Sequence, residues 1–141
     1  ILCNQPITDD SAIVLAKLTA LKTLDLSNTG LTDKGVARLA GLRSLTRLVL
    51  SGTKVGNDGV GALVGITGLK QLELSHTQIG DGAVDHLLKF RNAELFWLTR
   101  GPGGVSDKAI GRIRTDLRTC VVRFSAVELP KRRAAGSGGG E

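Results

Sequence analysis

The side chains able to do chemistry are few and scattered. Cys3, Cys120, His76 and His86 are the only soft ligands in 141 residues. No Cys-x-x-Cys, His-Glu-x-x-His or paired-histidine spacing occurs, so no metal site is indicated. Ser75 and His76 are chain neighbours whose side chains diverge at a strand end, which argues against a nucleophile–base pair. Asp25 and Glu73 share one strand face with Val49 between them, two strands or ~9.6 Å apart. That spacing superficially fits an inverting glycosidase. An open sheet, however, cannot desolvate one carboxylate to raise its pKa, so solvated surface charge is the expected role. The glycines of GPGG (101–104) and GNDGVG (56–61) lack the Lys-Ser/Thr that completes a phosphate loop. The residues therefore give no catalytic group, no metal and no cofactor.

The elements that must position these residues follow from an internal period. A shift of 24 residues aligns Leu21, Leu24, Leu26, Thr29, Leu31 and Asp33 with Leu45, Leu48, Leu50, Thr53, Val55 and Asn57. A second shift reaches Leu69, Leu72, Leu74, Thr77, Ile79 and Asp81. Val36, Leu39 and Leu42 recur as Val60, Leu63 and Ile66, then as Val84, Leu87 and Phe90. Backward, Leu2, Ile7, Asp9, Ala12, Leu15 and Leu18 fall into register; forward, Phe96 and Leu98 do. A two-residue insertion in GPGG restores register at Val105, Asp107, Ile110 and Ile113. About five units are visible, the first truncated.

Each unit reads as a short strand, a turn and a short helix. Leu24 and Leu26 alternate with polar residues, as in a strand with one buried face. Val36, Leu39 and Leu42 recur at helical spacing. Asp9, Asp33, Asn57, Asp81 and Asp107 suit helix N-caps, while Gly41 and Gly65 suit helix ends. One unit cannot bury its apolar edge alone, but stacked units share a continuous core.

The stretch LKTLDLSNTGLTDKGVARLAGLRS (21–44) resembles a leucine-rich repeat of the ribonuclease-inhibitor-like class, in its LxxLxLxxTxxTDxGLxxL form. The resemblance covers residues 1–124 and implies an α/β, right-handed solenoid with a parallel sheet on the concave face and short helices on the convex face. TDLRTCVVRF (115–124) resembles the closing strand of such arrays. Thr29, Thr53 and Thr77 stand where many members carry Asn or Cys, and their hydroxyls suit the same ladder of bonds to neighbouring backbone. Similar units occur in bacterial repeat proteins and in F-box-associated substrate receptors.

At 41% hydrophobic but 3% aromatic, the chain can build a core, and that core must be aliphatic. Its apolar runs fall short of the ~20 residues that cross a bilayer. Four unit steps of ~4.8 Å put Cys3 and Cys120 ~19 Å apart, beyond the ~7 Å of a disulfide. Without a disulfide framework, a cytoplasmic setting is the expectation. The first residue is Ile1, with nothing to cover Leu2, Ile7, Leu15 and Leu18, so further repeats or a cap are expected before it. Residues 125–141, with Lys131-Arg132-Arg133 and a Gly-rich end, read as a flexible basic tail.

Most of the net charge of +6 resides in the C-terminal end, where Lys108, Arg112, Arg114, Arg118 and Arg123 precede that tail. No aromatics are interleaved there for base stacking, so a solvated cap is favoured over a nucleic-acid groove. Trp97 occupies the outward position held by Asp25, Val49 and Glu73, with Leu95 beside it at the position of Arg47 and Gln71. An outward Trp next to an outward Leu is either covered by the insertion loop or tail, or is a binding anchor. The strip of Trp97, Leu95, Arg47, Val49, Asp25, Glu73 and Gln71 thus suits a non-catalytic module that binds a protein partner on its concave face. Two other readings stay open. One is the recognition part of a larger enzyme, ubiquitin-ligase-like or kinase-linked; the other is a nucleic-acid or anionic-surface binder using the basic C-terminal end.

Overall fold

Paired leucines in successive periods pull short strands onto a shared core. The computed structural model describes residues 1–125. The strands β1 (Thr23–Asp25), β2 (Arg47–Val49), β3 (Gln71–Glu73), β4 (Leu95–Thr99) and β5 (Val121–Ser125) form one parallel sheet in chain order. The register pairs Leu24 with Leu48, Leu48 with Leu72, and Leu72 with Phe96. The insertion shifts the last step, so that Phe96 meets Val122. The helices α1 (Ser11–Leu15), α2 (Asp33–Arg38), α3 (Asn57–Ala62), α4 (Val84–Leu87) and α5 (Asp107–Asp116) pack in sequence along the other side. Single 3-10 turns at Leu39–Gly41 and Leu63–Gly65 carry α2 and α3 back toward the sheet. Strands ~4.8 Å apart and wider helices curve such a stack, with the sheet on the inner face.

Between these layers lies one apolar core. Leu26, Leu31, Val36, Leu39, Leu42 and Leu45 in one coil, and Leu50, Val55, Val60, Leu63 and Ile66 in the next, are fully buried. Between the coil of β3 and that of β4, Phe90 and Phe96 meet edge-to-face, centroids 6.3 Å apart. At the N-terminal end Leu2 and Asn4 donate through their amides to the carbonyls of Asp25 and Ser27, extending the pairing beside β1. There Leu15 is buried, Leu2 and Ile7 are half-buried, and Leu18 is exposed.

The aspartates expected as helix caps do something else. Thr32 is the N-cap of α2 and accepts from the Lys34 amide; Ser106 is that of α5 and accepts from Ala109. Asp33, one residue further on, lies within the helix, and its carboxylate accepts from the Gly56 amide of the next coil at 2.6 Å. The pattern repeats along the stack. Asp9 accepts from the amide and hydroxyl of Thr32, Asn57 from the Gly80 amide, and Asp81 from the amide and hydroxyl of Ser106. Asp107 instead pairs with Arg100. These side chains reach sideways across the coil spacing rather than back to their own helix.

The glycine two residues after Asp33 and Asn57 makes room for this. A Cβ on Gly59 would lie 2.5 Å from Asp33 Oδ1. The threonine ladder is internal to each coil: Thr29, Thr53 and Thr77 donate to the carbonyls of Leu26, Leu50 and Leu74, three residues back. These bonds fasten the end of each strand rather than joining coils.

Asn4, Asn28, Gly52 and His76 occupy the same turn in successive coils, all at positive φ (57°, 54°, 72° and 55°). Asn, Gly and His tolerate this left-handed turn. In the GPGG segment Gly101 and Gly103 take positive φ, and Val105 rejoins the stack beside Arg100. Cys3 and Cys120 are both free, as their placement at opposite ends requires. β5 runs one residue past 124; the rest of the expected tail, including Lys131-Arg132-Arg133, lies outside the described residues.

Candidate functional site

The parallel register arranges the outward side chains of the sheet in straight rows. Thr23, Arg47, Gln71, Leu95 and Val121 form one row; Asp25, Val49, Glu73, Trp97 and Arg123 form the next. Most expected site residues therefore share one face, but they do not behave alike. Arg47 reaches diagonally to Glu73 at 2.7 Å, and Asp25 accepts from the amide and hydroxyl of Ser27. The supposed carboxylate pair is thus diverted: each acid has its own donor, Ser27 for Asp25 and Arg47 for Glu73. Arg47, expected as a second anchor, has its guanidinium engaged.

Val49 departs from expectation. It lies in the outward row yet is only 5% exposed. It is a short side chain between Asp25 and Glu73 in register, beside the Arg47–Glu73 bridge, so longer neighbours screen it. Val49 is packing rather than contact surface.

At the C-terminal end of the rows the polar bridging gives way to an apolar hollow. Leu95 and Trp97 are half-buried, and Val121 is 53% exposed. With Gln71, Glu94 and Arg123 they line a depression of about 370 Å³. No residue of the GPGG loop lines the hollow at Trp97; within the loop the Gly101 amide donates to the Val105 carbonyl and the Gly104 amide to the Gly101 carbonyl. Instead the Arg123 guanidinium lies over the indole, 5.7 Å from its centroid. Glu94 is held by Lys70 at 3.0 Å. Val121 was missed in the sequence, and Arg123, expected in a solvated basic cap, stands beside Trp97 instead. Their signal was present: TCVVRF alternates, and a step of 26 rather than 24 places them beside Leu95 and Trp97.

The basic end is partly neutralised. Arg112 pairs with Asp85 at 2.9 Å, and Arg100 grips Asp107 with two bonds, at 2.6 and 3.0 Å. That grip holds the Asp107 carboxyl below the usual range. Arg100 and Arg114 flank the Phe124 ring at 6.0 and 5.7 Å. Among the described residues no group of His, Cys, Asp and Glu is placed to hold a metal, and no helix is long and apolar enough to cross a membrane.

The family model described as Leucine Rich repeat matches residues 17–40, 41–64 and 67–87, three consecutive coils. No curated protein matches the chain at significant similarity. Among solved structures it is similar to an internalin (inlF) from Listeria monocytogenes, at 18% identity and a TM-score of 0.51. The likeness covers 79% of this chain and 36% of the internalin chain, so it concerns the fold and only part of that protein's length. Neither match singles out the ribonuclease-inhibitor-like subclass.

Proposed function

This chain is a leucine-rich repeat protein, and we propose that it is a non-catalytic interaction module that binds a protein partner on the concave sheet face, anchored at Trp97. Leucine-rich repeat domains generally act as protein-interaction modules. The observation that carries the finer reading is the hollow of Leu95, Trp97 and Val121 at one end of an otherwise mutually bridged strip. Binding energy concentrates in a few buried aromatic anchors ringed by polar contacts, and this is the aromatic the face offers. Asp25 and Glu73, the residues nearest to an acid–base pair, are satisfied by Ser27 and Arg47, which supports binding over chemistry.

The test is capture of the native partner followed by titration with two variants. Trp97→Ala is expected to weaken binding by at least ~2 kcal/mol, about thirtyfold, with the fold intact. Arg112→Glu, on the convex side, is expected to leave affinity unchanged. Loss of binding in the Arg112 variant alone moves the site to the basic end and defeats the concave-face reading.

A further inference from the structure

The Trp97 hollow has an uneven electrostatic rim, and that rim says what kind of segment fits it. Each acid along the strip is already answered: Asp25 by Ser27, Glu73 by Arg47, and Glu94 by Lys70. Arg47 and Lys70 are spent in those pairs. Arg123 has no carboxylate partner among the described residues, and its guanidinium is held against the Trp97 ring. The strip therefore runs from an acid at Asp25, through a compensated middle, to a cation with no carboxylate partner among the described residues, beside the apolar depression at Trp97. An apolar side chain entering between Leu95, Trp97 and Val121 would bring its neighbouring backbone and side chains alongside Arg123.

We infer that the partner is a protein segment that seats one apolar side chain in this hollow and places an Asp or Glu next to it, against Arg123. The inference rests on the concave-face reading above and adds the chemistry of the occupant. A planar guanidinium pre-oriented by an aromatic ring loses little freedom when it takes a carboxylate in two parallel bonds. Charge complementarity of this sort sets which partner binds more than how tightly. A basic segment is rejected by the same group.

The chain allows a direct test, since Trp97 is its one tryptophan and indole emission reports occupancy of the site. Phage-displayed random peptides are selected on the immobilised chain, and enriched peptides are synthesised and titrated by fluorescence. The expected pool pairs an apolar residue with Asp or Glu within two positions. Arg123→Gln, which removes the charge and leaves a planar polar end on a shorter side chain, should weaken these peptides roughly tenfold. Arg123→Glu should weaken them further and select Lys- or Arg-bearing peptides instead. Trp97→Ala should abolish retention of both pools. Retained folding of each variant is read from its circular dichroism. Peptides that depend on Trp97 but show no acidic enrichment, or ignore Arg123→Gln, overturn this inference and leave the concave-face reading standing. A pool indifferent to Trp97→Ala overturns that reading itself.

Discussion

Cys120 shows how strongly position in the stack governs a single residue. It is buried between α5 and β5, and burial pushes its thiol up to about 11. The thiolate is the reactive form, so at pH 8 only roughly one thiol in a thousand is charged. Iodoacetamide at pH 8 should label Cys3, which is half-buried at the other end, while Cys120 reacts only after urea is added. Mass spectrometry of the alkylated protein checks this; rapid native labelling of Cys120 would mean that the last coil is open. Trp97 and Val49 make the complementary point on the outer face. Both were legible as outward from the period alone. Whether an outward residue is accessible depends on the lengths and charges of its neighbours in adjacent strands. That is why Val49 is screened near the Arg47–Glu73 bridge while Leu95 and Val121 remain open. A one-dimensional period carries the row but not the roof over it.

At the scale of the element, the joint between coils is an Asp or Asn side chain accepting from the next coil's backbone. Asp9 is desolvated, which raises its pKa, but bonds from the Thr32 hydroxyl and amide and from Gly35 outweigh this and lower it. Asp81 is lowered by the Ser106 amide and then by the Ser106 hydroxyl. A carboxyl with a depressed folded pKa stabilises the fold above its unfolded pKa and loses that contribution as pH falls through the folded value. The Asp9–Thr32 and Asp81–Ser106 joints should therefore weaken in acid, below the ordinary Asp value of ~3.9. The Asn57–Gly80 joint carries no titrating group and should not. Amide exchange followed by NMR between pH 6 and pH 3, corrected for intrinsic rates, should show protection falling at Thr32 and Ser106 but holding at Gly80. Asp9→Asn should flatten the Thr32 response; equal loss at all three amides would refute the joint as described. The sequence marked these positions and their period, yet suggested caps. Cap and first helical residue differ by one place, and spacing within a unit says nothing about a bond made to the unit beside it.

The whole molecule repeats one cross-section and departs from it in the final coils. Strand order, the leucine core and the helix-turn alternation were all readable from the 24-residue period, because identical coils must bury identical positions. The insertion at GPGG hid the rest. It moves the last register step to 26 residues, lengthens β4 and β5 to five residues each, and brings Arg123 over Trp97. The uniform coils thus form a scaffold, and the proposed recognition surface lies at the irregular end.

The measurement that tests this claim most directly is hydroxyl-radical footprinting of the chain with and without its captured partner. On the sheet face Trp97 reports the hollow; on the helical face half-buried His86, packed over Gly61, reports the opposite side. Oxidation of Trp97 should fall several-fold in the complex while His86 keeps its free-state rate. Protection of His86 with Trp97 unchanged would place the partner on the convex helices and contradict the account.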